Sequence, residues 1–271
     1  MTQAAPTISR TLEIVINIGH MPIRLLTQHA AFHELLSSRY AGFLDSDTAP
    51  LATLDVEIVA EPKINDGDVE VRIRNGRWFM QRADFSAEFD PATSSGRVRQ
   101  SSNPYSIDTV LRILHGLLLV REGGFLLHAA SAIRNGKAFL FSGLSGAGKT
   151  TISGLAPPDA TLLTDEISYV RRESGRYIAC GTPFAGELAR LGANKSAPIE
   201  TLFLLAKGPD NRIDSVSAGE ATQRIVRNIL FFADDPGLVN TVFETACSFV
   251  DQVPARRLTF YPDPRVWDMI Q

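Results

Sequence analysis

Apolar and polar residues alternate along much of the first hundred positions, which is typical of β-strands that bury one face. The predicted strands are Leu12–Ile18, Leu54–Ala60, Val69–Ile73, Trp78–Gln81 and Phe85–Phe89. His29–Tyr40 is the one predicted helix, and the polar stretch from Asp90 to Pro104 is predicted to be a loop with at most one short strand. These patterns predict a β-rich N-terminal domain over residues 1–105.

Strands and helices interleave in the rest of the chain. Ser106 is the predicted N-cap of a helix that ends at Gly123 and Gly124, and a hairpin with an Asn135-Gly136 turn follows. The remaining predicted elements are strands at Leu126–Ile133, Lys137–Ser142, Thr161–Thr164, Thr201–Leu205 and Leu258–Tyr261, a hairpin around Ser174-Gly175, and helices at Ala218–Phe232, Leu238–Val250 and Pro264–Ile270. This order predicts an α/β domain over residues 106–271.

Composition narrows the classes of function. The formal net charge is −3, so the chain lacks the excess of basic residues typical of nucleic-acid binders. No apolar stretch approaches the roughly 20 residues of a membrane-spanning helix, and the first ten residues lack the apolar segment of a signal peptide. Cys180 and Cys247 form no C-x-x-C pair and are predicted to be reduced thiols. We therefore expect a cytoplasmic protein with neither a nucleic acid nor a membrane as partner.

The segment Gly143-Leu144-Ser145-Gly146-Ala147-Gly148-Lys149-Thr150 matches the phosphate-binding pattern G-x-x-x-x-G-K-[ST] at every position. Its glycines allow main-chain N–H groups to approach a phosphate, the lysine contacts the β- and γ-phosphates, and the hydroxyl of Thr150 binds Mg²⁺. The apolar strand Ala138–Phe141 leads directly into it, which is the context that the motif requires. Predicted ATP contacts are Gly143, Ser145, Gly146, Ala147, Gly148, Lys149, Thr150 and Thr151.

Two carboxylates follow the next predicted strand, sixteen residues after Lys149. Asp165 is the candidate base for an attacking hydroxyl, and Glu166 a candidate Mg²⁺ ligand. His128 lies on the strand that precedes the hairpin; a lone histidine in an apolar strand is more often a core residue than a catalytic one. Lys149 completes the candidate catalytic set.

These residues together resemble the HPr kinase/phosphorylase family, and more closely the HPr-kinase-like P-loop kinases of biosynthetic cassettes, such as those that phosphorylate lasso peptide precursors. The resemblance lies in His128, Gly143–Thr150, Asp165-Glu166, and Glu187 within Glu187–Gly192. It implies a P-loop kinase core of HPr-kinase/PEP-carboxykinase type, His128 and Asp165 as the catalytic pair, Thr150 and Glu187 as Mg²⁺ ligands, and an assembly of several copies. Glu166 stands where the family usually has a second aspartate.

The sequence thus predicts an ATP- and Mg²⁺-dependent kinase whose acceptor is a hydroxyl, most simply a serine of a peptide or protein. A kinase of small hydroxylated molecules and a non-catalytic, ATP-binding regulatory protein are the alternatives. A GTPase is disfavoured because Ala197 occupies the aspartate position of N-K-x-D after Asn194-Lys195.

Overall fold

The computed structural model describes residues 10–59, 67–184, 186 and 191–271. Within these ranges the protein is a mixed α/β structure with two β-sheets. It divides into two compact units: the first runs to Val110 except for Ile18–His20, which group with the second unit, Leu111–Gln271.

The first unit is built on a seven-stranded sheet. Its strands are β1 (Leu12–Ile18), β2 (Met21–Thr27), β3 (Ala52–Ile58), β4 (Glu70–Arg74), β5 (Arg77–Arg82), β6 (Phe85–Asp90) and β7 (Ser95–Gln100), in the order β1-β2-β3-β7-β6-β5-β4. Helix α1 (Ala30–Arg39) and a 3₁₀ turn (Ala41–Phe43) lie between β2 and β3 in the chain. Ala60, the end of one predicted strand, lies outside the described residues.

Period-two alternation accounts for the two faces of this sheet. Val56 and Val98 are buried, whereas their chain neighbours Glu57 and Arg97 are exposed. Strand β2, whose sequence includes Pro22, escaped prediction, whereas β7 is the one short strand that the prediction allowed within the loop from Asp90 to Pro104. Both have parallel pairing with β3, a long-range contact for which the sequence carries no local turn signal.

Helix α2 (Pro104–Arg121) begins two residues before its predicted N-cap. Proline fits the first turn of a helix because it has no N–H to leave unbonded. The Ser106 hydroxyl instead donates to Oδ2 of buried Asp84, 2.7 Å away. One half-turn later, buried Asp108 accepts hydrogen bonds from Arg39 and Tyr40. Two buried carboxylates therefore fix the first turns of α2 within the first unit.

The described residues of the second unit form eight strands. They are β8 (Phe125–Arg134), β9 (Lys137–Ser142), β10 (Thr161–Thr164), β11 (Ile167–Glu173), β12 (Arg176–Cys180), β13 (Ser196–Lys207), β14 (Arg212–Ser215) and β15 (Ala255–Phe260). Its helices after α2 are α3 (Lys149–Gly154), α4 (Ala218–Val226), α5 (Pro236–Gln252) and a 3₁₀ segment (Pro264–Met269). The hairpin turns predicted at Asn135-Gly136 and Ser174-Gly175 are confirmed, since all four residues have positive φ.

Five of these strands pair into a closed ring. Strand β8 pairs with β9 and β11, β11 pairs with β12, and both β12 and β9 pair with β13. The ring closes because β13 is long: Ser196–Pro198 pair with β12, and Ile199–Leu204 pair with β9. Strand β9 therefore has a neighbour on each side and no open edge.

Strand β9 is buried on both faces. Ala138 and Leu140 belong to one apolar cluster, which includes Phe249 of α5. Phe139 and Phe141 belong to a second cluster, which includes Trp267 of the C-terminal 3₁₀ segment. A strand that is apolar on both faces is held rigidly by packing, and β9 leads straight into the glycine-rich loop, Gly143–Thr150.

The predicted helix Ala218–Phe232 is wrong beyond Val226. The next residues leave the helix and bond to β8: the carbonyl of Asn228 accepts from the N–H of His128 at 2.7 Å, and the N–H of Leu230 donates to the carbonyl of Leu126 at 2.9 Å. These backbone groups bond to β8 and so do not continue the helix. Such tertiary contacts often override a weak helix propensity.

Candidate functional site

Strand directions bring the candidate residues to one edge of the second sheet. Strands β9 and β10 are each antiparallel to β8, on opposite sides of it, so they run in the same direction. Their carboxyl ends, from which the glycine-rich loop and Asp165 emerge, therefore lie at the same edge. Ala129 of β8 pairs with Ser142, the last residue of β9, which places His128 there as well.

A polar cavity of about 350 Å³ opens at this edge. It is lined by His128, Ser145, Gly146, Gly148, Lys149, Thr150, Thr151, Asp165 and Glu166. Its volume is at the lower end of the range of small-molecule sites. The structure thus gathers the three candidate catalytic residues with most of the predicted ATP contacts. Gly143 and Ala147 belong to the same loop but are not among the lining residues.

The glycine-rich loop has backbone angles that favour glycine at two lining positions. Gly146 has φ +74° and Gly148 has φ +108°. A Cβ on Gly148 would lie 2.6 Å from Cζ of buried Phe260, so a larger residue fits neither the angle nor the space. Helix α3, at six residues, begins directly after Gly148 and ends at Gly154, shortly before the pair Pro157-Pro158.

Lys149 lies mostly buried under its own loop. Its ammonium donates to the carbonyl oxygens of Gly143, at 2.9 Å, and Leu144, at 3.3 Å. Only 8% of the residue is exposed. Because this ammonium is already removed from water, it can form a charged hydrogen bond with a phosphate group without a large further desolvation cost.

Asp165 is buried at the end of β10, and Glu166 is more exposed. An oxygen of the Asp165 carboxylate accepts from the N–H of Gly186 at 2.9 Å. The turn that presents both acids is set by Thr164, whose hydroxyl oxygen accepts from the N–H groups of Glu166 and Ile167 at 3.2 Å each. One carboxylate is therefore fixed by backbone contacts, and the other, 38% exposed at its side chain, is accessible.

His128 is half-buried, and the pKa of its imidazole is lowered, first by burial and second by the positive charge of Lys149. Both effects disfavour the charged ring, so His128 is neutral near pH 7. A neutral imidazole has one nitrogen that accepts a hydrogen bond or a proton.

Arg112 of α2 is a neighbour of this site that the sequence interpretation missed. One of its terminal nitrogens lies 3.9 Å from a carboxylate oxygen of Glu166, and its guanidinium carbon lies 4.8 Å from the ring centroid of Phe184. The signal in the sequence was weak: Arg112 is the one charged residue between Asp108 and Arg121 in an apolar helix.

The predicted metal ligand Glu187 lies outside the described residues, as does Arg190 of the same segment. Thr150 and Glu166, the other two predicted ligands, both line the cavity. In the part of the chain that the structure describes, no group of three or more His, Cys, Asp or Glu side chains is arranged to hold a metal ion. None of the described helices is long and apolar enough to cross a membrane.

Fold and site together define a mixed α/β protein with a polar cavity at a glycine-rich loop in its second unit. The chain belongs to the family described as SynChlorMet cassette protein ScmC, whose model matches residues 105–271. No protein with a curated description matches it.

Among solved structures, the chain is similar to the Hpr(Ser) kinase/phosphatase from Coxiella burnetii, with 14% identity over 45% of this chain and 87% of the other. The TM-score of that match is 0.25, which is too low to support a conclusion on fold or activity.

Proposed function

We propose that the chain is an ATP-dependent kinase that transfers the γ-phosphate to a hydroxyl, a serine of a peptide or protein, on a P-loop core of HPr-kinase/PEP-carboxykinase type. One observation supports this above the others. Five residues of a G-x-x-x-x-G-K-[ST] loop line one cavity with a buried carboxylate, a second, accessible carboxylate and a neutral imidazole.

In this proposal the glycine-rich loop and Lys149 bind the phosphates of ATP. The ammonium of Lys149 exchanges the carbonyl oxygens of Gly143 and Leu144 for phosphate oxygens, which a triphosphate offers with a full negative charge. The N–H groups of the loop stabilise the charge that spreads over the transferring phosphoryl group.

Thr150 and Glu166 are the residues among those described that would hold Mg²⁺, with Glu187 as the third predicted ligand. Hydroxyl and carboxylate oxygens are the donors that this hard cation prefers, and Mg²⁺ usually needs only one or two carboxylates beside substrate phosphates and water. The donor set at the cavity therefore fits the ion without a preformed cluster of three acids. When bound, Mg²⁺ neutralises charge on the β- and γ-phosphate oxygens.

Asp165 accepts the proton of the attacking serine hydroxyl. Its hydrogen bond from Gly186 holds the carboxylate in place, so that little reorganisation is needed when the acceptor arrives. His128, neutral for the reasons given above, orients the hydroxyl or the carboxylate by a hydrogen bond.

Transfer of label from γ-³²P-ATP tests the proposal. The purified chain is incubated with Mg²⁺, labelled ATP and three acceptor classes: serine-containing peptides, including any short peptide encoded beside the gene, free serine, and sugars. We expect label in peptide serine. Asp165→Asn should lower the rate by a factor of about 10² to 10⁴, the usual contribution of a general base, with little change in the Kd for ATP.

The matched control is Asp159→Asn. Asp159 is an exposed acid that pairs with Arg134 and is not among the cavity's lining residues, so the rate should stay at the wild-type value. Label in free serine or a sugar and none in peptide would replace the proposal with a small-molecule kinase. ATP binding without transfer to any acceptor would replace it with a non-catalytic, ATP-binding regulatory protein.

A further inference from the structure

Arg112 lies between Glu166, which lines the cavity, and the aromatic ring of Phe184. On one side its terminal nitrogen is 3.9 Å from the carboxylate of Glu166. On the other, its guanidinium lies over the ring of Phe184, a side chain with only 1% of its surface exposed. A guanidinium on an aromatic face is held in a defined plane, which a flexible lysine ammonium would not be.

The segment that carries Phe184 is itself attached to the site. The Thr182 hydroxyl donates to the carbonyl of Ile167 at 3.1 Å, and its N–H donates to the carbonyl of Leu163. Two residues after Phe184, the N–H of Gly186 donates to Asp165. Arg112 therefore packs on Phe184, which is close in the chain to the residue that bonds Asp165, and its positive charge lies near the carboxylate of Glu166.

The contact with Glu166 is electrostatic. A separation of 3.9 Å exceeds hydrogen-bond distance. Within the described residues, Nε of Arg112 is buried without a hydrogen-bond partner, so stacking on Phe184 is the main constraint on the plane of the group. Burial of a guanidinium nitrogen without a hydrogen bond is costly, so its position calls for a structural or functional reason.

We propose that Arg112 is a positioning residue that directs the Glu166 carboxylate toward the metal and, through Phe184, keeps the N–H of Gly186 on the Asp165 carboxylate. This inference rests on the proposed function, because it gives Glu166 the role of a Mg²⁺ ligand. Arg112 acts through its neighbours and need not touch ATP. Residues that orient metal ligands typically change metal affinity or activity by 10- to 100-fold when they are replaced.

The test measures how ATP binding and phosphate transfer depend on Mg²⁺ concentration. Arg112→Met keeps an unbranched apolar stem and removes the charge; we expect the Mg²⁺ concentration for half-maximal ATP affinity to rise about tenfold or more. Arg112→Lys restores the charge without the plane and should recover part of the loss. Arg172→Met is the matched control, because Arg172 also lies over an aromatic ring, that of Tyr177, and is not among the residues that line the cavity.

A double-mutant cycle with Glu166→Gln separates positioning from a general effect on stability. If Arg112 acts through Glu166, Arg112→Met should change the Mg²⁺ dependence less than threefold in the Glu166→Gln background. An unchanged Mg²⁺ dependence in Arg112→Met, or effects of the two substitutions that simply multiply, would overturn the inference.

Calorimetric titration with ATP distinguishes the kinase proposal from the role of Arg112, because it measures nucleotide binding without any acceptor substrate. A wild-type chain that binds MgATP but transfers no phosphate refutes the kinase proposal, and the Mg²⁺ dependence of binding still decides the role of Arg112. A wild-type chain that transfers phosphate, with an Arg112→Met variant equal to it, refutes the role of Arg112 alone. A wild-type chain that does not bind ATP at all refutes both.

Discussion

Gly148→Ala is the substitution that most directly probes the geometry of the glycine-rich loop, because it leaves every charge at the site unchanged. The backbone at this position has φ +108°, which costs a residue with a side chain roughly 1–3 kcal/mol. The added methyl group would also lie 2.6 Å from a ring carbon of Phe260, which is packed in the core and 3% exposed. Overpacking of this kind costs about 1–3 kcal/mol.

The two costs together come to about 2–6 kcal/mol, and the loop can relieve them only by leaving its present conformation. At about 1.4 kcal/mol per tenfold change in affinity, even the lower figure weakens ATP binding about 30-fold. Isothermal titration calorimetry with MgATP measures this loss, and urea unfolding measures how much of the cost appears as lower stability instead.

Gly154→Ala is the control, since Gly154 lies at the end of α3 with open space around its Cα. Alanine there should leave ATP affinity unchanged and raise stability by up to about 1 kcal/mol. Gly148→Ala with wild-type affinity for ATP and wild-type stability would refute the reasoning, because both the backbone angle and the close approach would then have no energetic consequence.

Three further predictions concern buried groups. Burial lowers the pKa of His115 to about 3, whereas the same side chain in the unfolded protein has an ordinary pKa near 6.5, so the unfolded chain binds more protons between these pH values. The contribution of His115 to stability is therefore present above pH 6.5 and falls by about 2 kcal/mol by pH 5. Urea unfolding of His115→Gln should lack this pH-dependent component. Asp108→Asn leaves Arg39 without its buried carboxylate and should lower the free energy of unfolding in urea by about 3–5 kcal/mol. The control Glu57→Gln, in an exposed pair with Arg99, should lower it by less than about 1 kcal/mol. Equal losses for the two substitutions would contradict the importance of burial. Burial raises the pKa of the Cys180 thiol to about 12, so iodoacetamide should label Cys247 alone in the native chain, and mass spectrometry showing early labelling of Cys180 would disprove it.

Local signals predicted the strands that present the site. Strands β9 and β10 have the predicted bounds, Lys137–Ser142 and Thr161–Thr164. Each is short, apolar and bounded by turn-forming or polar residues, so its limits depend on neighbours in the chain. The sequence motif after β9 and the two acids after β10 were found for the same reason.

Contacts between distant parts of the chain were beyond the sequence. The backbone of Asn228 and Leu230 bonds to β8 a hundred residues earlier in the chain, and nothing in a helical pattern indicates that partner. Arg112 precedes Glu166 by more than fifty residues, and its stacking on Phe184 depends on the fold of the whole second unit. The functional roles of His128, Lys149, Thr150, Asp165 and Glu166 stay predictions, although the structure brings these residues to one cavity.

Closure of the strand ring has a consequence for synthesis of the protein on the ribosome. The ribosome makes the glycine-rich loop some fifty residues before it makes β13. Strand β9 therefore lacks its second neighbouring strand until Ile199–Leu204 have been synthesised. Until then the strand beneath the loop has an open edge that exposes unpaired main-chain groups, and closing such a long loop is slow relative to local pairing. We therefore expect a nascent chain that stops before Ser196 to lack nucleotide affinity and to need protection from aggregation.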